Sequence, residues 1–350
     1  MILTVHGENC RQAAMTKARG IGSHTLDFCK VPQFVALRIL ESILKSGRMI
    51  HAAVLTPRAK LRFKLLSVTG IFLFATTLLR AGDDVANGLL KQAKAAYATG
   101  EHSEAFSLAS QAITKEPTNA LGYFVRAGFF ANAHEPAKAV SDYNEALKLD
   151  PSLADAWQNR GTEHFKLGNI KESISDFDQF IVLKPGFAPY HWQRGIACYY
   201  AGRFEDGRKQ FESHQTVNPN DVENAAWHFL CAARSVGVEK ARAALIPIKE
   251  DARVPMMEVH ALLAGKAKPE DVIKAARAGE PSVSELNRRL FYAHLYLGLY
   301  FEATGDQTQA HEHILQAVKT FKTDDYMGDV ARVHLQLQKV QPPSDETKRK

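Results

Sequence analysis

Small and large apolar positions recur with a constant period between residues 86 and 221. We number this stretch as four units of equal length, 86–119, 120–153, 154–187 and 188–221. A small residue holds position 8 of each unit, as Ala93, Ala127, Gly161 and Gly195. Position 24 holds Ala109 and then three rings, Tyr143, Phe177 and Phe211. A small residue opposite a large one at a fixed spacing predicts two closely packed helices in each unit.

Prolines and glycines divide every unit at the same places. Proline stands at position 32, as Pro117, Pro151, Pro185 and Pro219. Because proline lacks an amide hydrogen and disfavours helix in the residue before it, each one marks the end of a second helix. Position 15 holds Gly100, His134, Gly168 and Gly202. Glycine permits the left-handed backbone of a turn, so the pattern predicts helix, turn and helix in each unit.

The segments Tyr123–Pro151 and Ala156–Pro185 resemble tetratricopeptide repeats at most of their signature positions. The resemblance implies an all-α fold, a right-handed α-solenoid of helix-turn-helix hairpins. It also implies that 82–221 holds four such repeats and that the chain binds other molecules, since solenoids of this kind rarely catalyse reactions.

Beyond the four units the repeat pattern weakens. Residues 222–290 keep apolar residues at helical spacing, which predicts degenerate helical repeats. The pattern returns over 291–340, with Gly298 at position 8, and predicts a further hairpin and a capping helix. This order of parts is similar to that of NlpI-type periplasmic adaptors, which implies a scaffold for other envelope proteins. The polar tail, 341–350, is predicted to be disordered.

Residues 60–81 have the pattern of a bacterial signal peptide, because a basic start precedes an uncharged stretch over 65–79. A membrane-spanning helix needs about 20 apolar residues, and this stretch is shorter. The sequence therefore predicts export to the periplasm or beyond. There are two alternatives: an uncleaved inner-membrane anchor through 65–79, or a segment that is neither a signal peptide nor an anchor. We interpret residues 1–59 as a leader of doubtful translation or a disordered segment.

The charge of the whole chain is misleading. The net charge is +6, but the segment 1–80 alone holds 12 basic and 3 acidic side chains. The remainder has 32 basic and 35 acidic side chains, and these are interleaved. A nucleic-acid surface needs clustered cations, so we predict no nucleic-acid partner.

The sequence offers no chemistry typical of an enzyme or a metal site. Cys198 and Cys231 lie outside the leader, near equivalent positions of neighbouring first helices. That placement favours buried thiols, with a disulfide as the alternative. His311 and His313 are two residues apart, a spacing that points to opposite faces of a helix. No catalytic motif is present, and we predict no catalytic residue, no cofactor and no metal.

The resemblance implies that the first helix of each unit lines a concave face. The predicted peptide-binding residues on this face are Lys94, Phe124, Asn132, Gln158, Phe165, Trp192, Tyr199 and Tyr200. Exposed aromatic rings would form a groove for a peptide or helix. The alternative is that the next helix or the capping segment buries several of the rings. Leu90 stands where related repeats that clamp a C-terminal carboxylate carry a polar residue, so capture of a free C-terminus is not predicted.

Arginine holds position 7 of three units, as Arg126, Arg160 and Arg194. One interpretation is an anion-binding ladder. The favoured interpretation is a set of ion pairs that close the hairpins, Arg126 with Asp142 and Arg160 with Asp176. Arg194 faces a glutamine in its own unit and is predicted to use Asp176 of the unit before.

These observations predict a non-enzymatic scaffold or adaptor that binds another protein or a peptide in the bacterial cell envelope. Apart from the signal sequence no membrane partner is predicted, and a homodimer stays open. Two alternatives remain: a self-assembling structural envelope protein, and an enzyme with a site in 222–290.

Overall fold

The computed structural model describes residues 85–340, where the chain forms helices and turns without a β-strand. The predicted leader, signal peptide and polar tail lie outside these residues. Units one to three form paired helices: α1 over 85–98, then α2 His102–Lys115, α3 Ala120–Asn132, α4 Pro136–Leu149, α5 Ala154–Lys166 and α6 Ile170–Leu183.

A 3-10 turn, Pro185–Tyr190, joins unit three to unit four and precedes the helix pair of unit four. The later helices are α7 Trp192–Tyr200, α8 Phe204–Gln215, α9 Val222–Val236, α10 Val238–Ala243, α11 Met256–Leu263, α12 Pro269–Arg277, α13 Val283–Thr304, α14 Gln307–Leu315 and α15 Tyr326–Val340. A π-helical turn, Gln316–Thr320, follows α14. Successive helices pack against each other, so the predicted all-α solenoid is confirmed. Within the described range no helix is both long and apolar enough to cross a membrane.

The inter-helix turns use the left-handed backbone at position 15. Gly100 has a φ of 86°, and His134 has a φ of 57° at the equivalent place in unit two. A residue with a Cβ is disfavoured there, at a cost of about 1 kcal/mol. The hairpin geometry is therefore kept in unit two although the glycine is absent.

Glycine at position 8 brings the two helices of a hairpin together. A Cβ built on Gly161 would lie 2.7 Å from Cε1 of Phe177, and one on Gly195 would lie 2.6 Å from Cζ of Phe211. Both rings are fully buried. The ring at position 24 thus occupies the space that a side chain at position 8 would need.

The hairpin formed by α13 and α14 follows the same rule. A Cβ built on Gly298 would lie 2.7 Å from Cγ1 of Ile314, and Gly305 ends α13 with a φ of 94°. The step along the chain from Gly298 to Ile314 equals the step from Gly161 to Phe177. This last hairpin therefore packs as a repeat unit although its proline is missing.

Arginine at position 7 closes two of the hairpins by paired hydrogen bonds. Nε and Nη2 of Arg126 donate to the two carboxylate oxygens of Asp142, at 2.7 and 2.9 Å. Arg160 binds Asp176 in the same way, at 2.8 and 2.6 Å. Asp142 and Asp176 are buried, so these bidentate pairs satisfy carboxylates that have little contact with water.

The same arginines also reach back to the preceding unit. Their partners there are Ser110 for Arg126, Asn144 for Arg160 and Asp178 for Arg194. The prediction that Arg194 uses Asp176 is wrong, because Asp176 is already held by Arg160 and Asp178 lies at the position that faces the next unit. Each arginine therefore connects neighbouring units.

The apolar core differs between the two halves of the described chain. In units one and two it consists of small clusters around Ala93 and Ala127. From α5 onward one large cluster continues to α15, and it includes Phe165, Trp227 and Leu295. The degenerate segment thus contributes to the main core rather than extending the array as a thin layer.

A charged network fixes the loop between α10 and α11. Arg253 pairs with Glu223 at 2.5 Å and with Asp221 and Asp251 at 2.6 Å. Tyr296 on α13 donates its hydroxyl to Glu223 at 2.8 Å. Burial raises the pKa of Glu223 to about 7, although Arg253 and Tyr296 oppose this shift. Three carboxylates share one guanidinium, so the acidic groups of this network outnumber its basic group.

We expect Gly161→Ala to lower the free energy of unfolding by about 1–3 kcal/mol, because the methyl group must displace the buried ring of Phe177. Gly128→Ala is the matched control, since a Cβ there has no atom within 4 Å. Alanine should stabilise that helix by up to about 1 kcal/mol. Urea unfolding of both variants measures the difference, and equal shifts would contradict the packing rule.

We also expect Glu223 to make stability fall as pH rises. Its pKa in the folded chain, about 7, exceeds the ordinary value of 4.5. The folded chain therefore keeps a proton that the unfolded chain releases between these values, and on the order of 1–3 kcal/mol is lost across that window. Glu223→Gln should flatten the curve of unfolding free energy between pH 5 and pH 8. The exposed Glu239→Gln should not, and parallel curves for all three proteins would refute the assignment.

Candidate functional site

The first helices of the four units, α1, α3, α5 and α7, share one face of the array, which we call the first-helix face. Its two halves differ in what covers them. Helix α15 returns to pack on α5 and α7, where Tyr326 lies 5.5 Å from Phe165 and 5.1 Å from Trp192 between ring centroids. Helix α13 reaches α7 through Glu302, which accepts a hydrogen bond from Tyr199. We call this part the closed half. The part formed by α1 and α3 carries no such cover among the described residues and is the open half.

The closed half corrects the prediction of an exposed aromatic groove. Phe165 has no exposed surface, and Tyr199 is 4% exposed. Trp192 and Tyr200 are half-buried, the first against Tyr326 and the second against Trp227. Rings of this size stabilise the fold when they leave water, and the C-terminal helices provide the surface that covers them. The alternative interpretation, burial by the capping segment, applies here.

Hydrogen bonds also join the polar groups of the closed half to α13 and α15. Tyr199 donates its hydroxyl to Glu302 on α13 at 3.2 Å, and Arg234 donates to the other carboxylate oxygen at 3.0 Å. The hydroxyl of Tyr200 lies 3.2 Å from Nδ1 of His334 on α15. Burial lowers the pKa of His334 and raises the pKa of Tyr200, so both stay uncharged at neutral pH.

Gln158 marks the boundary between the two halves. Its Nε2 donates to Oε1 of Gln193 at 2.7 Å, so the side chain is held by the neighbouring first helix. Glu163, farther along α5, is buried, and its carboxylate accepts a hydrogen bond from Lys166 at 2.7 Å. Burial raises the pKa of Glu163. The amide nitrogen of Gln158 and one oxygen of Glu163 are thus bound within the array, whereas Oε1 of Gln158 and Oε2 of Glu163 are buried without a hydrogen-bond partner among the described residues.

The remaining predicted residues lie on the open half. Lys94 and Asn132 are exposed, and Phe124 is half-buried. The ring of Tyr97 on α1 stacks on Phe129 of α3 at 4.4 Å, which holds the two helices side by side. Three predicted residues thus belong to one accessible surface.

Leu121 completes this surface and was missed by the sequence prediction. It is 44% exposed, which is high for a large apolar side chain. Its place at position 2 of unit two, three residues before Phe124, puts both on one stripe of α3. The helical spacing from Phe124 was the signal that could have found it.

The two cysteines in and near the closed half have a structural role. The thiols of Cys198 and Cys231 are free and buried, so the disulfide alternative is wrong. Burial raises the pKa of both thiols, which keeps them protonated and unreactive. Within residues 85–340 no set of three or more His, Cys, Asp or Glu side chains is arranged to hold a metal ion.

Known proteins match parts of this chain. Two models described as tetratricopeptide repeat match residues 90–154 and 154–187. A curated relative, the TPR repeat-containing thioredoxin TDX of Arabidopsis thaliana, is 30% identical over 90 residues, which cover 26% of this chain and 24% of that protein. The chain therefore spans about a quarter of that relative's length.

Several solved structures are also similar. A tetratricopeptide repeat protein from Parabacteroides merdae is 15% identical, with a TM-score of 0.49 and coverage of 73% of this chain and 99% of that one. MamA is 13% identical with a TM-score of 0.44, covering 57% and 99%. The Arabidopsis OM64 repeat domain is 27% identical with a TM-score of 0.29, covering 30% and 87%.

The sequence matches agree with what the packing shows independently, since the fixed spacing of small and large positions within a hairpin holds in the structure. Residues 90–187 therefore match tetratricopeptide repeats both in sequence and in the packing of their hairpins.

Proposed function

We propose that this protein is a non-enzymatic scaffold that binds a segment of another protein on the open half of its first-helix face. The proposal rests on one observation, that other described helices cover the closed half but not the open half. The closed half is filled by helices of the same chain, whereas Leu121 and Phe124 offer apolar surface beside Lys94 and Asn132. An apolar patch with a polar rim is typical of a protein-binding surface.

The rigidity of the closed half supports this proposal. A first-helix face that is packed and hydrogen-bonded over α5 and α7 fixes the position of α3, which contacts α5. The open half is then presented on a pre-organised support. Binding to a pre-organised surface costs less conformational entropy than binding to a mobile one.

We further propose that the scaffold is exported to the bacterial cell envelope. The basic start and uncharged stretch of residues 60–81 support this placement. The resemblance to NlpI-type adaptors is in line with it and stays a prediction.

Leu121→Arg in the full-length chain tests the binding proposal. We expect it to abolish recovery of a partner after cross-linking and affinity purification from cells, because a charge replaces the apolar contact. Val182→Arg is the matched control, since Val182 is 71% exposed on the second helix α6. Loss of the partner in Val182→Arg alone, or in neither variant, would contradict the proposed surface. Recovery of only the chain itself would favour the self-assembling alternative.

The N-terminus of the mature protein tests the proposed export. We expect mass spectrometry of the protein purified from its native cells to find a first residue close to position 82, after cleavage of the signal peptide. A mature chain that begins before residue 60 would refute a cleaved signal over 60–81.

A further inference from the structure

The helices of the open half carry no acidic side chain. Neither α1, over 85–98, nor α3, Ala120–Asn132, contains an aspartate or glutamate. The acids of units one and two lie on the second helices and in the turns, as Glu101, Glu104, Glu116, Glu135, Asp142, Glu145 and Asp150. Among the described residues, charge is therefore segregated between the two faces of these units, and α1 and α3 contribute no carboxylate to the open half.

Two lysines of α1 have no acidic partner among residues 85–340. Lys91 and Lys94 are both exposed, and neither forms an ion pair with a described residue. Some other lysines of the array do have partners, such as Lys148 with Glu145 at 3.5 Å and Lys166 with Glu163 at 2.7 Å. Lys91 and Lys94 lie three residues apart, on neighbouring positions of one helix face. They give the open half a concentrated positive charge.

Apolar surface accompanies this charge. The stack of Tyr97 on Phe129 places α1 directly beside α3, which presents Leu121 and Phe124. A ligand that contacts both helices meets cations on one side and apolar side chains on the other. Charge complementarity selects the partner and speeds its association, while the apolar contacts supply most of the affinity.

We propose that the open half binds an acidic protein segment that also carries a large apolar side chain. This inference rests on the proposed scaffold function and specifies its partner. The carboxylates of the segment pair with Lys91 and Lys94, and its apolar side chain packs on Leu121 and Phe124. The segment is internal to its protein, since Leu90 is 4% exposed and α1 and α3 present no buried pocket of unpaired donors that would hold a chain terminus.

Selection from random dodecapeptides, displayed without a free C-terminus, tests the proposal on the purified full-length chain. We expect the enriched peptides to be net negative and to contain Leu, Ile, Phe or Met. The affinity of one enriched peptide is then measured by fluorescence anisotropy. Reversing both charges, Lys91→Glu with Lys94→Glu, should weaken binding at least about tenfold, while Lys91→Arg with Lys94→Arg should retain it. Raising the salt from about 50 to about 500 mM should also weaken it, because exposed charges are screened.

The matched control changes the same charge elsewhere. Lys171→Glu with Lys184→Glu alters two exposed lysines on the other side of unit three and should leave the affinity unchanged. Enriched peptides that are neutral or basic, no enrichment, or equal effects of both double reversals would overturn the acidic-partner inference. The scaffold proposal would survive that result if the cellular partner is still lost in Leu121→Arg, so the two failures are distinguishable.

Discussion

The contact between the small residue at position 8 and the large one at position 24 is the interaction on which this fold depends. It sets the distance between the helices of each hairpin, and Phe177 and Phe211 fill that space completely. Arg126, at position 7, binds two side chains that are equally far from it along the chain. One is the carboxylate of Asp142 in its own hairpin, and the other is Ser110 in the unit before. Packing and hydrogen bonding therefore enforce one repeat geometry.

Because the hairpins stack in a fixed register, the first helices of all units face the same side. The chain uses that side in two ways. Over α5 and α7 its own helix α15 covers the aromatic side chains, Glu302 of α13 binds Tyr199, and a single apolar core runs through this half. Over α1 and α3 the cores are small and the surface keeps Leu121 exposed. The large core of the closed half supports the fold, so the open half is free to carry a binding surface.

Most of the fold could be predicted from the sequence, because the determining contacts are local. The spacing of Gly161 and Phe177, and of Arg160 and Asp176, lies within one hairpin and repeats along the chain. The closed half could not be predicted, since Tyr326 reaches Phe165 and Trp192 from a distant part of the sequence and no periodicity connects them. For the same reason the aromatic positions looked like a groove. The candidate site was partly foreseen in Lys94, Phe124 and Asn132, whereas the importance of Leu121 depended on knowing which helices stay uncovered.

Hydrogen exchange of the full-length chain, alone and in complex with its captured partner, tests the central claim most directly. We expect the partner to slow amide exchange in α1 and α3 and to leave α5, α7 and α15 unchanged. Slower exchange in α5 and α7 together with faster exchange in α15 would contradict it, because the partner would then displace the C-terminal helix from the half that we describe as closed.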